Sequence, residues 1–355
     1  MAMAMADQLA ADVAGHGASP GSVVGFVGLG NMGLPMARRL ARAGHLVQGY
    51  DLSAMAADGL RDEPGAEVVG SVVEVARGAD VVILMLPGSP TVEAVLLEQR
   101  LLAALSPRTL LVDMSSSEPA RTRALSERAG ERGVTLVDAP VSGGVRGAVE
   151  GTLTIMVGGP PEACEAITPL LRSLGSRVVR CGEAGSGHAV KALNNLMSAA
   201  HLLASSEAIQ IGKAFGLDPR IILDVVNGSS GRSGSTMTKW PDYILTGSYD
   251  SGFRLRLLVK DMRIALGLAE SADHTEIARW LEGVLGVRRD DYIRGLDDRD
   301  DLGALGKTEF LDGLHGDRGH QAVAARVQFD VRDGFPAVDL GDPGGYLVTG
   351  AQRHF

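Results

Sequence analysis

Cysteine is nearly missing: the 355 residues include only Cys164 and Cys181, without metal-ligand spacing, and the eight histidines are scattered. This excludes a disulfide framework, gives no indication of a zinc site, and fits a reducing, cytoplasmic setting. Basic runs are also lacking, and the net charge is -9. Phosphate recognition needs a basic face, so general nucleic-acid binding is not expected. The longest apolar run, Asp80 to Pro87, has the length of a strand and is far too short to cross a bilayer. Residues 1–22 lack a basic stretch followed by a long apolar core, so they read as a disordered leader and not as a secretory signal. With 45% hydrophobic and 22% charged residues, the remainder can bury the cores of two domains.

The first half alternates strands with helix-length segments. Val23 to Val27 is a β-branched apolar run that enters Gly28-Leu29-Gly30-Asn31-Met32-Gly33, after which a helical period continues to Ala43. In such a strand, glycine turn and helix, the first glycine allows the tight turn and the second lets a pyrophosphate approach the backbone. The third lets helix pack on strand, and the phosphate lies at the helix N-terminus. The next strand, His45 to Tyr50, ends at Asp51, about 20 residues on, where a carboxylate can accept the ribose hydroxyls of an adenosine. A carboxylate there repels a 2′-phosphate, which favours NAD over NADP; Asp51 also suits a helix N-cap, and the two roles are compatible.

Further strands are expected at Val81 to Leu86, Thr109 to Met114, Val134 to Val137, Thr152 to Val157 and Arg177 to Cys181. Alternation of this kind predicts a mostly parallel sheet with helices on both faces and ligands beyond the carboxyl ends of its strands. Ser115, Ser116 and Ser117 before Glu118-Pro119 read as a helix N-cap. Asp138 to Gly144 reads as a loop whose free N–H groups can cradle a carboxylate, the alternative being a simple surface turn.

Gly185 to Phe215 reads as one long buried helix joining two domains, with Leu193, Met197, Ala200, Leu203 and Ala204 at helical intervals. Lys191, Asn194 and Asn195 stand at i, i+3 and i+4, so an ammonium and two amides share one face and can converge on a small molecule. The plainer reading is a snorkelling lysine beside a polar seam. Helices are expected at Pro219 to Asn227, Thr236 to Leu245, Leu255 to Ser271 and Thr275 to Leu285, with a loop at Asn227 to Ser235 long enough to lie over a ligand site. Taken alone, Lys260-Asp261 reads as a solvated surface pair.

Several separated motifs together resemble the β-hydroxyacid dehydrogenase family. They are Gly28 to Gly33 with Pro35-Met36-Ala37, Asp113 to Pro119, Asp138 to Gly144 extended to Gly151-Thr152-Leu153, Gly187 through Lys191 to Asn195, and Gly252-Phe253 followed by Lys260-Asp261. The resemblance covers about residues 23–305; Ala272 to Ile293 match poorly, and Gly295 to Asp301 depart from the family's closing segment in spacing. It implies an α/β protein with an N-terminal Rossmann-type domain at 23–184 and an all-α C-terminal domain at 185–306 that begins with the interdomain helix. An atypical extension occupies 307–355. Lys191 would be the catalytic lysine and Asn195 would orient the substrate, while Ser142, Gly143 and Gly144 would bind its carboxylate. Leu86, Pro87 and Ser115 would line the nicotinamide side, and Lys260 would reach the cofactor.

The implied activity is NAD-dependent interconversion of a small β-hydroxy acid and its semialdehyde, with 3-hydroxyisobutyrate first and tartronate or succinic semialdehyde as alternatives. Imine reduction on the same fold and non-catalytic dinucleotide binding are the rivals. By analogy, a homodimer or homotetramer is expected.

Overall fold

A computed structural model of the chain describes residues 19–274. The helix expected at 275–285, the segment 295–301, the boundary at 306 and the extension 307–355 lie outside the described residues, as does most of the leader.

The elements in chain order are β1 (Val23–Val27), α1 (Gly33–Arg42), β2 (Leu46–Tyr50), α2 (Ala54–Arg61), β3 (Ala66–Val68) and β4 (Val81–Leu84). Short helical turns lead to β5 (Leu110–Asp113), α3 (Pro119–Gly130), β6 (Thr135–Asp138), β7 (Val141–Ser142), α4 (Gly144–Glu150), β8 (Thr154–Gly158), α5 (Pro161–Arg172) and β9 (Arg177–Gly182). Among the described residues only helices follow: α6 (Ser186–Ala214), α7 (Pro219–Asn227), α8 (Ser235–Ile244, wound with the wider i to i+5 spacing) and α9 (Leu255–Ser271).

The sheet runs β3-β2-β1-β4-β5-β6-β8-β7 with β9 on β8, and only the β6/β8 and β7/β8 pairings are antiparallel. Both faces are covered, which is why β4 and β5 are buried at every position and apolar up to Asp113 at the end of β5. Phe26, Met36, Leu40, Ile83 and Val112 fill one side, and Val27, Val82, Leu84, Leu96 and Leu111 fill the other.

Register positions the site. Tyr50 pairs with Val27, Val27 with Leu84, Leu84 with Asp113, and Asp113 with Asp138. These residues form one row at the carboxyl ends of five strands, and the glycine turn, Asp51, Met85-Leu86, Met114-Ser115 and Ala139-Pro140 all begin one residue beyond it.

Two short strands escaped the sequence reading. Ala66–Val68 lies at the sheet edge, and Val141-Ser142 turns back from β6 to pair with β8 inside the stretch expected to be a loop. A two-residue strand offers no periodicity to read. The long helix spans 29 residues, about 43 Å at 1.5 Å per residue. Its expected burial is corrected at Leu193, Met197 and Leu203, which are exposed. α9 packs on the side that carries Ala192, Leu196 and Ala199, and among the described residues the face bearing the larger side chains is exposed.

Candidate active site

The glycine turn is fixed by the strand ends around it. Gly28 N–H donates to Tyr50 O at 2.9 Å, and Leu29 N–H donates to Asp51 Oδ2 at 2.7 Å. Asp51 Oδ1 accepts from Ser53 N–H at 2.8 Å, and Ser53, not Asp51, caps α2. A Cβ on Gly33 would stand 1.8 Å from Gly28 O, so helix and turn touch backbone to backbone, whereas a Cβ on Gly30 would meet nothing within 4 Å. Exposed Gly30 and Asn31, with half-buried Met32, therefore border open space at a helix N-terminus that no side chain caps. An uncapped, positively polarised helix start beside an acidic strand end fits the pyrophosphate and ribose of a dinucleotide.

On the neighbouring strands, Leu86 N–H donates to Ser115 Oγ at 3.0 Å. Lys260 reaches across from α9 and donates from Nζ to Pro87 O at 3.0 Å and Ser116 O at 2.7 Å. Leu86, Pro87, Ser115 and Lys260 are thus brought together. The expected serine cap is corrected. Glu118 holds the N-cap position without a side-chain cap, its N–H bonds Ser89 Oγ at 2.7 Å, and Ser117 Oγ donates to Asp113 Oδ2 at 2.8 Å. With Pro119 at the first helical position, the helix start needs one acceptor fewer, which frees the serines for the strand ends.

The start of α6 is tied into this end of the sheet. Asp138 accepts from Gly185 N–H at 2.6 Å through Oδ1 and from His188 N–H at 2.8 Å through Oδ2. Burial, the largest influence, raises the Asp138 pKa, while His188 and the two backbone donors act against it. The buried His188 ring lies 2.8 Å from Thr122 Oγ1 through Nδ1 and 3.0 Å from Ser115 O through Nε2. A Cβ on Gly187 would be 2.3 Å from Met156 O, so only glycine lets the helix approach β8 this closely.

One turn further, Lys191 is 9% exposed and Asn195 6%. Asn195 Nδ2 donates to Asp261 Oδ2 at 2.5 Å, and Asn194 Nδ2 donates to Asn195 Oδ1 at 3.1 Å. Asp261 is 2% exposed, and its Oδ1 lies 3.3 Å from Lys260 Nζ. The surface reading of the Lys260-Asp261 pair is therefore corrected: on a helix facing α6, the second residue turns inward. Desolvation lowers the Lys191 pKa from its ordinary 10.5; Asp261 pulls it up and Lys260 pushes it further down. Ser142, Gly143 and Gly144 form the end of β7 and the start of α4, another helix start without a side-chain cap, four to six residues after the anchor Asp138.

Sequence reasoning missed Asp261, His188 and the anchoring role of Asp138. His188 and Asp138 lie inside motifs that were recognised, and the inward phase of Asp261 relative to Met262 and Ala265 was the available signal.

A glycine turn suited to a dinucleotide at the strand ends, together with a buried lysine, amide and carboxylate on two helices, is what a nicotinamide-dependent dehydrogenase needs. Comparison with known proteins gives the same class. A model of the NAD binding domain of 6-phosphogluconate dehydrogenase matches residues 23–182, and one described as NAD-binding of NADP-dependent 3-hydroxyisobutyrate dehydrogenase matches residues 185–281. The 3-hydroxyisobutyrate dehydrogenase of Pseudomonas aeruginosa is 38% identical over 255 residues, 70% of this chain and 85% of that protein. The 2-(hydroxymethyl)glutarate dehydrogenase of Eubacterium barkeri is 37% identical over 244 residues, 68% of this chain and 81% of that protein. The solved structure of Mycobacterium tuberculosis 3-hydroxyisobutyrate dehydrogenase with L-serine matches with a TM-score of 0.68 and 31% identity, covering 75% of this chain and 94% of that one. The chain belongs to the β-hydroxyacid dehydrogenase family, enzymes that act on CH–OH groups with a nicotinamide dinucleotide.

Proposed function

We propose that this protein oxidises the hydroxymethyl group of a small β-hydroxy acid to the semialdehyde, or runs the reverse reduction, with NAD in preference to NADP. The observation that carries this reading is the buried Lys191, Asn195 and Asp261 set, one helical turn from the point where α6 is anchored to the strand ends. NAD, held by the glycine turn and Asp51, would supply the hydride acceptor for the carbinol carbon. Neutral Lys191 takes the hydroxyl proton as the C=O bond forms, and in reduction the ammonium returns it to the oxygen. Burial favours the neutral amine that this role needs. Asp261 fixes the Asn195 amide, leaving Asn194 and Asn195 to orient the substrate. The Ser142 hydroxyl and the N–H groups of Gly143 and Gly144 bind the carboxylate.

Leu86, Pro87 and Ser115 line the nicotinamide, with Lys260 holding that loop pair together. Gly28, Gly30, Asn31, Met32 and Gly33 receive the pyrophosphate, and Asp51 receives the ribose and repels a 2′-phosphate. The exposed apolar residues Leu193, Met197, Leu203, Ile221 and Val225 support a homo-oligomer in which a second copy covers this face. The free thiols of Cys164 and Cys181 support a reducing cytoplasm.

The test is NADH formation from 3-hydroxyisobutyrate and related β-hydroxy acids, with NAD and NADP in parallel, by the wild type and Lys191→Ala. The variant is expected to lose about 10²- to 10⁴-fold in turnover, the usual worth of a general acid–base group, while still binding NADH. Equal loss of turnover and NADH affinity would refute the role of Lys191. Turnover of cyclic imines in place of hydroxy acids, or NADH binding without any turnover, would replace the reading with one of its rivals.

A further inference from the structure

Seven residues beyond Lys191 on α6 stands Ser198. Seven residues advance a helix by about 10 Å and bring it back to within about 20° of its starting direction, so Ser198 shares the face of Lys191. Its hydroxyl accepts a 3.1 Å hydrogen bond from Lys239 Nζ, which reaches it from α8. The neighbouring Trp240 packs on Ile209 and Leu223 and donates from Nε1 to Ser205 Oγ at 3.1 Å, fixing α8 against α6 and with it the root of Lys239. The segment leaving α8 returns to the carboxylate loop, where the Cβ position of Gly252 lies 3.8 Å from Val145 of α4.

Lys239 differs from its neighbours in what surrounds it. Lys260 has Asp261 and two carbonyls, and Lys191 feels Asp261. Half-buried Lys239 has a serine hydroxyl and takes part in none of the ion pairs among the described residues. Desolvation is the one influence on its pKa, which it lowers. A partly desolvated ammonium without a carboxylate partner is costly unless a ligand supplies the anion.

We propose that Lys239 is the specificity group of this site and binds a second carboxylate on the substrate, making the preferred substrate a dicarboxylic β-hydroxy acid. This rests on the functional reading above. With the first carboxylate at Ser142 to Gly144 and the hydroxymethyl group at Lys191, the third substituent of the α-carbon is free to point along α6 towards Ser198. That substituent is a methyl group in 3-hydroxyisobutyrate, an ammonium in serine and a carboxyethyl arm in 2-(hydroxymethyl)glutarate. The methyl offers Lys239 no partner, the ammonium is repelled by it, and the carboxyethyl arm extends a carboxylate towards it that can pair with the Lys239 ammonium.

The experiment measures kcat/KM with NAD for 2-(hydroxymethyl)glutarate, 3-hydroxyisobutyrate and L-serine in the full-length wild type, Lys239→Met and Lys239→Arg. The wild type is expected to favour the diacid over 3-hydroxyisobutyrate by about tenfold or more, the order one charge-assisted contact supplies. Lys239→Met should erase that ratio mainly through KM and raise serine relative to 3-hydroxyisobutyrate, and Lys239→Arg should keep the preference for the diacid. A wild type without that preference, or a Lys239→Met that weakens all three acids alike, overturns the proposal. If Lys239→Met does not fold, competitive inhibition of the wild type decides: glutarate binding no better than butyrate also overturns it. Oxidation of 3-hydroxyisobutyrate without diacid preference removes the Lys239 assignment alone, whereas NADH binding with no oxidation of any acid removes the enzymatic reading itself.

Discussion

Asp138 ties the sheet to the helix that carries Lys191 through two buried hydrogen bonds, and removing it has a calculable cost. Its two oxygens accept the buried N–H groups of Gly185 and His188. Asp138→Ala leaves both donors without a partner, at about 1–3 kcal/mol each. Relief of the buried charge offsets part of that, so a net loss of about 2–4 kcal/mol is expected, a large share of the roughly 5–15 kcal/mol that stabilises a domain. Asp138→Asn keeps one acceptor oxygen and sets its NH₂ against the other N–H, so about half that loss is expected.

Urea unfolding followed by circular dichroism reads the loss, and steady-state kinetics should show kcat falling more than NADH affinity because Lys191 rides on the loosened turn. The pH dependence has a definite sign. The folded-state pKa of Asp138 is raised above its ordinary 3.8, so this group's contribution to stability is full below that value and declines as pH rises through the raised one. Asparagine does not titrate, so the gap between wild type and Asp138→Asn should be wider on the acid side and narrower at neutral pH. Asp138→Ala unfolding within about 0.5 kcal/mol of the wild type with unchanged kcat would refute the anchoring argument, since substitutions without such a mechanism fall within that range.

Two more predictions concern charge. Oxidation needs neutral Lys191, so kcat/KM should rise with pH, along a limb lying below the ordinary lysine value of 10.5. Asp261→Asn removes the charge that raises the Lys191 pKa and should move this limb to lower pH, whereas Lys260→Gln removes the charge that lowers it and should move the limb upward; shifts in the same direction would contradict the assignment. Asp51→Ala should weaken NAD binding measured by fluorescence titration and narrow the ratio of NAD to NADP use, and an unchanged ratio would refute the cofactor reading.

The fold was most legible where local chemistry and packing agree. Pro219 to Asn227 and Leu255 to Ser271 form helices with the bounds expected from the sequence, the first opened by Asp218 and Pro219 as cap and first residue. The glycine turn was legible because close backbone contact leaves no alternative to glycine at Gly33. What escaped depends on contacts between distant segments. Ser115 and Ser117 stand where a cap is usual, and only the folded chain brings Leu86 and Asp113 to them. Asp261 reads as half of a surface pair until α9 is laid on α6. Leu193, Met197 and Leu203 have core spacing on a face that is exposed among the described residues. Spacing reports which residues share a face and not what lies opposite.

The 29-residue helix α6 places the proposed proton-transfer group and the proposed selectivity contact on a single rigid rod, two turns apart. One residue inserted or deleted between Lys191 and Ser198 would swing everything beyond it by about 100°, carrying Ser198 off the shared face and breaking the packing of Ala199 on Leu258 and Met262. Length variation is therefore closed to this stretch as a route to new substrates. Substrate range can drift only by exchanging side chains that face the rod, above all at position 239, while the spacing from the lysine stays locked.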